Sequence, residues 1–116
     1  MLSKGHAYET IAEHYLAKKG YCIRTKNYHT RRGEIDLVMQ DADTIVFVEV
    51  RYRKNSFFGT AEETITKSKQ SKIIFSAKHY IAKFKLWHMN ARFDVITIKP
   101  INTSQLEINW LKDAFY

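Results

Sequence analysis

The sequence predicts a mixed α/β or α+β domain with the element order αβββαββ. Three observations predict it. Apolar residues recur at helical spacing near the N-terminus and again through the middle of the chain. Two neighbouring runs, Glu34 to Gln40 and Thr44 to Tyr52, alternate with period two across a short connection. After the second helix the pattern returns to strand at Ala91 to Ile98 and Gln105 to Leu111.

Each element has a local reason. Ser3 to Lys19 is expected to be helical, with Tyr8, Ile11, Ala12, Tyr15 and Leu16 on one face. Gly20 stops it, and Lys18 and Lys19 suit the negative end of the helix dipole. Tyr21 to His29 is a first strand and Thr30 to Gly33 a turn. The Asp41-Ala42-Asp43 connection is short enough for a hairpin. Arg53 to Gly59 is a polar loop. Thr60, with Glu63 three residues on, has the form of a capping box and is expected to open a helix running to about Lys85. Ile65, Ile73, Ala77, Tyr80, Ile81 and Phe84 would be its buried side, and its many lysines a solvated face. Pro100 stops the strand that follows, and the last strand lies at an edge.

With 116 residues the chain suits one core, so residues 1–116 are read as a single domain. No long apolar run suggests a membrane span or a signal peptide, and the cytoplasm is the expected compartment. Cys22 is the only cysteine, which excludes an internal disulfide and a Cys-based zinc framework. The five histidines form no ligand-spaced pair, and no nucleophile elbow or phosphate loop is present. The balance is basic, 19 Lys and Arg against 12 Asp and Glu, which favours polyanionic partners such as nucleic acid.

Against that background two acids are out of place. Asp36 and Glu49 sit inside apolar strands, where a carboxylate is costly unless neutralised. A two-residue Ala42-Asp43 loop would pair Ile35 with Val50, Leu37 with Val48 and Met39 with Val46, making one face apolar. The other face would then pair Val38 with Phe47, Asp36 with Glu49 and Glu34 with Arg51. Facing like charges need a remedy: a raised pKa, a nearby cation from Arg51, Arg31 or Arg32, or a divalent ion. A hard cation on two carboxylates would reconcile the acid pair with a polyanion partner. Asp94 is read as the structural partner of Arg92.

The residues also carry a resemblance. Gly5, Glu9, Ala12, Tyr15 and Leu16, then Gly20-Tyr21 and Asn27, begin it. Gly33-Glu34-Ile35-Asp36-Leu37, Phe47-Val48-Glu49-Val50-Arg51-Tyr52-Arg53, Phe58-Gly59 and Lys67-Ser68-Lys69-Gln70 continue it. Arg92-Phe93-Asp94-Val95 and Trp110 to Phe115 close it. Together they resemble the YraN-like proteins, small bacterial proteins of uncharacterised function, and more distantly the archaeal Holliday junction resolvases. The resemblance implies a restriction-endonuclease-like α/β fold, a central mixed β-sheet flanked by helices, with a PD-(D/E)xK-type site. Carried over, Asp36 and Glu49 become metal ligands for Mg²⁺ or Mn²⁺, and Glu9 completes the set. One position departs: the pattern has lysine two residues after the second acid, and here stands Arg51. Arginine stays charged and serves a phosphate rather than a base. Lys67 and Lys69 are candidates for a substitute amine.

The expected function is therefore a nucleic-acid-binding, nuclease-like protein, a Mg-dependent endonuclease acting on structured or branched DNA. Glu9, Asp36, Glu49 and Arg51 would be catalytic, and Arg31, Arg32, Arg53, Lys54, Lys67 and Lys69 would contact nucleic acid. Junction cleavage would need two sites, hence a homodimer. The alternative is a non-catalytic nucleic-acid-binding or adaptor module on the same fold.

Overall fold

The computed structural model describes residues 4–53 and 65–116. The elements are α1 (Lys4–Lys18), β1 (Cys22–Thr30), β2 (Gly33–Asp41), β3 (Thr44–Tyr52), α2 (Lys67–Lys83), β4 (Asn90–Pro100) and β5 (Leu106–Leu111), the expected order. The five strands form one mixed sheet in sequence order. β3 and β4 run parallel and the other neighbours antiparallel. A parallel pair needs a crossover, and α2 lies within it.

The two helices cover opposite faces. Ala12 and Leu16 of α1 pack with Leu37, Met39, Val46, Val48, Ile96 and Ile98. Ile73, Ala77 and Tyr80 of α2 pack with Val38, Phe47, Phe93 and Val95. Successive strand residues therefore feed different cores, as period two requires. α1 ends as the sequence expects. Gly20 has φ +95°, its N–H bonds to Ala17 O, and the Tyr21 N–H reaches back to Leu16 O. That is a Schellman closure, with Tyr21 and Leu16 buried in one cluster.

The β2–β3 hairpin has the expected register. Asp41 pairs with Thr44 around an Ala42-Asp43 loop, and Met39 with Val46, Val38 with Phe47 and Leu37 with Val48. There the ladder stops, so the expected Ile35–Val50, Asp36–Glu49 and Glu34–Arg51 rungs are not formed. The cause is a change of face in both β1 and β2. Lys26 reaches α1, with Nζ 3.0 Å from Glu13. Tyr28, two residues on, reaches α2, with its hydroxyl 2.6 Å from His79 Nδ1. Likewise Leu37 packs under α1, but Ile35 belongs to the α2 cluster. Between the two pairs sit Asn27 and Asp36. Asn27 has a left-handed backbone, φ 55°, which asparagine tolerates better than most residues.

Two further expectations are corrected. α2 begins at Lys67, capped by Thr66, whose side chain accepts from the Lys69 N–H. Residues 65 and 66 are not helical, so no continuous helix runs from Thr60. Thr60 and Glu63 themselves lie outside the described residues, as do Lys54 and Phe57-Phe58-Gly59. Phe84 is 43% exposed, because the helix has ended and Phe84 is its C-cap.

Asp94 fastens β4 to β5 and to the chain end. Its fully buried carboxylate accepts from Arg92 Nε and Nη2, both at 2.9 Å, from Trp110 Nε1 at 2.9 Å and from the Asp113 N–H at 3.0 Å. Arg92 also donates to the Tyr21 hydroxyl at 2.7 Å. The expected Arg92–Asp94 pair is thus the centre of a larger network. Asp94→Ala leaves the Arg92 charge and the Trp110 indole without their acceptor. It is expected to cost about 3–5 kcal/mol in urea denaturation. A loss below about 1 kcal/mol would show that the network is not what joins β5 to the sheet.

Candidate functional site

The site lies where the β2–β3 ladder opens. In place of a backbone carbonyl, Asp36 Oδ2 accepts the Val50 N–H at 2.9 Å. This bond holds the two strands near each other while leaving a seam, and acids collect in it. Glu9, from α1, is buried, with 9% of its surface exposed. Carboxylate oxygens of Glu9, Glu34 and Asp36 lie within 4.8 Å of one another. Glu49, 5% exposed, stands on the Asp36 side of the seam.

Cations approach but do not close the account of charge. Lys69 Nζ lies 3.6 Å from Glu49 Oε1, and Arg51 Nε 4.0 Å from the same oxygen. Burial and the Asp36 charge push the Glu49 carboxyl up to about 7, against the pull of Lys69 and Arg51. Burial and the Asp36 charge also push Glu9 up to about 6, while Asn27 and His6 pull it down. Asp36 is raised by burial, the Val50 N–H opposing. Desolvation therefore outweighs the available positive charge at all three acids. Among the described residues, no donor stands in hydrogen-bond geometry to the buried Glu9 Oε1. A buried acceptor left this way is costly unless something else fills it.

These residues fit a divalent cation. A Mg²⁺ ion binds oxygens at about 2.0–2.1 Å, so its ligand oxygens stand roughly 3–4 Å apart. The spacing of the three carboxylates admits this with small movements. Glu9, Glu34 and Asp36 would hold the ion, with Glu49 beside them.

The residues named from sequence separate into groups. Glu9, Asp36, Glu49, Arg51 and Lys69 meet at the seam. Arg31 and Arg32 do not: both guanidiniums stand over the Phe75 ring, at 5.3 and 5.2 Å. Lys67 lines a groove with Gln70, Ser71, Ile74, Ala114, Phe115 and Tyr116. The Arg53 N–H closes onto Ile98 O at 2.8 Å. Lys54 lies outside the described residues. Sequence reasoning placed Glu34 opposite Arg51 and missed it as a possible ligand. Period two gave no sure signal for it, because β2 changes face at Asp36, with Ile35 in one cluster and Leu37 in the other.

The comparisons with known proteins agree with one another. Residues 8–98 match the uncharacterised protein family UPF0102. A UPF0102 protein of Psychromonas ingrahamii is 47% identical over 113 residues, covering 97% of this chain and 89% of its own. One from Nitrosococcus oceani is 42% identical over 113 residues, covering 97% and 90%. One from Vibrio parahaemolyticus is 43% identical over 111 residues, covering 95% and 89%. With the match spanning both the acid seam and the Asp94 network, the chain belongs to the YraN-like family UPF0102.

Proposed function

We propose that this protein is a metal-dependent nuclease of restriction-endonuclease-like fold, acting on DNA at the seam between β2 and β3. The observation that carries the reading is the buried acid group with an unfilled Glu9 oxygen. In a basic protein, such a group is expensive to keep for stability alone. Mg²⁺ or Mn²⁺ held there would polarise a phosphodiester and activate water. The chain's own residues then have distinct tasks. Asp36 ties the seam through Val50 and would be one of the residues that hold the ion. Glu9 and Glu34 complete the oxygen set, and Glu49 borders it. Arg51 holds a phosphate oxygen, since it cannot shed its proton. Lys69 brings an ammonium to Glu49 from the opposite helix. A branched substrate would require two such seams, and hence a homodimer.

Arg51 favours one second reading, a nucleic-acid-binding or adaptor module without catalysis. Asp36→Asn separates the two. It is expected to lower Mg²⁺-dependent cleavage of a branched or nicked duplex by at least ~100-fold while the protein stays folded. Cleavage that survives Asp36→Asn in a nuclease-free preparation removes the seam as the active site. No cleavage by the unmodified protein with either metal favours the binding module.

The acids also predict a pH dependence. Glu9 and Glu49 keep their protons to higher pH in the fold than the 4.5 of a free glutamate. The fold therefore binds more protons than the unfolded chain between about pH 4.5 and 7. Metal-free protein should lose stability as pH rises through that window and level off above it. Glu49→Gln should stabilise the metal-free protein at pH 8 by roughly 1–3 kcal/mol and flatten the profile. Mg²⁺ should raise the melting temperature more at pH 8 than at pH 5, because ligand carboxylates must be ionised. A metal-free melting temperature that rises from pH 5 to 8 would show that these acids are already neutralised in the fold.

A further inference from the structure

We propose that the β1–β2 turn and α2 form a phosphate clamp, in which Arg31 and Arg32, seated together on Phe75, grip a nucleic-acid backbone. The inference rests on the nuclease reading and adds the direction in which the bound strand leaves the acids.

The turn is fixed to the helix at successive positions. Thr30 Oγ1 lies 2.7 Å from the buried Ser76 hydroxyl, and the Arg32 N–H donates to Thr30 Oγ1 at 3.3 Å. Gly33 lies so close to α2 that an added Cβ would stand 3.4 Å from Lys72 Cβ. Between these two contacts lies Phe75. It is half-buried and belongs to neither apolar cluster. What it carries is the two guanidiniums, 5.3 and 5.2 Å from its centre. A ring beneath a guanidinium holds its plane and leaves the N–H fork at the rim, free to bind an oxyanion bidentately.

Among the described residues no acid pairs with the clamp. Arg31 and Arg32 are exposed, and neither forms an ion pair among the described residues. Lys72 adds a third positive charge on the same stretch of helix. Two guanidiniums converging on one ring repel each other until an anion joins them.

Its position relative to the seam points to phosphate. Three residue steps along the strand lead from Gly33 to Asp36, about 10 Å at ~3.3 Å per step. A nucleic-acid strand rises ~3.4 Å per nucleotide, so the clamp stands about three nucleotides from the acids. Lys69 and Lys72, one helical turn apart, bridge the interval. A repeating phosphate chain would meet the seam, the lysines and the arginines in turn.

The test is fluorescence anisotropy with a labelled 20-bp duplex in EDTA, from 50 to 200 mM salt. Arg31→Ala/Arg32→Ala should bind at least ~10-fold more weakly, with the log–log salt slope smaller by about one to two. Phe75→Leu leaves the charge unchanged and should still weaken binding about 3-fold or more. Circular dichroism melting checks that each variant is folded. If the double variant binds like the unmodified protein with the same slope, the clamp is wrong, whatever Asp36→Asn does to cleavage. If Phe75→Leu is without effect, the ring-held geometry is wrong. Displacement of the duplex by polyglutamate at equal charge concentration would assign the surface to acidic protein and overturn the phosphate reading. A loss of binding in the double variant without any cleavage by the unmodified protein would keep the clamp and remove the nuclease.

Discussion

A single side-chain acceptor decides the shape of the site. At Leu37–Val48 the β2–β3 ladder ends, and the next N–H, that of Val50, is taken by Asp36 Oδ2 instead of a backbone carbonyl. A carboxylate is longer than a carbonyl and carries charge, so the strands separate while staying tied. The gap admits Glu9 from one helix and Lys69 from the other, although the helices lie on opposite faces of the sheet. In a closed ladder the sheet itself would divide these two side chains. The change of face at Asn27 and Asp36 belongs to the same event, because a regular pleat would keep Asp36 on one side only.

The molecule holds two kinds of buried acid, and the contrast separates structure from function. Asp94 is completely buried, yet both its oxygens are occupied by a guanidinium, an indole N–H and a backbone N–H. Nothing remains for a ligand, and the group fastens strands. Glu9 and Glu49 are buried nearly as well, but among the described residues the cations nearest Glu49 stand 3.6 and 4.0 Å away, and desolvation raises both acids. A fold can satisfy a carboxylate fully, as Asp94 shows. Leaving a neighbouring set unsatisfied is a property of the seam rather than a limit of this small domain.

Much of this was legible in the residues. Period two fixes faces, so only an even loop could gather the apolar side chains of β2 and β3, and the observed Ala42-Asp43 loop is even. Arg92 and Asp94, two apart on a strand, had to share a face. The change of face was not legible, because one left-handed asparagine leaves no periodic trace. It overturned the Ile35–Val50 rung and hid the grouping of Glu34 with Glu9. The role of Phe75 was hidden by the start of α2. Thr60 and Glu63 look like a cap, and Thr66, which caps the helix, has no acidic partner three residues on. A helix begun in the wrong place gives no reliable view of which side chains meet the β1–β2 turn.

On the nuclease reading, the departure at Arg51 divides one task between two elements. A lysine two residues after the second acid would offer both a fixed cation and an exchangeable proton from the strand itself. Here the strand supplies only the fixed cation, 4.0 Å from Glu49. The amine comes from Lys69, at 3.6 Å, on a helix whose first turn is set by Thr66. The two roles are not interchangeable, because guanidinium binds oxyanions by its planar fork and ammonium acts as a compact point charge. Positioning the amine therefore depends on the crossover between β3 and β4 rather than on the strand. The same helix, one and two turns later, presents Lys72 and then Phe75 beneath Arg31 and Arg32. α2 is thus the element on which amine, bridge and clamp all stand, and its placement over the sheet couples the acid seam to the surface along which a polyanion would lie.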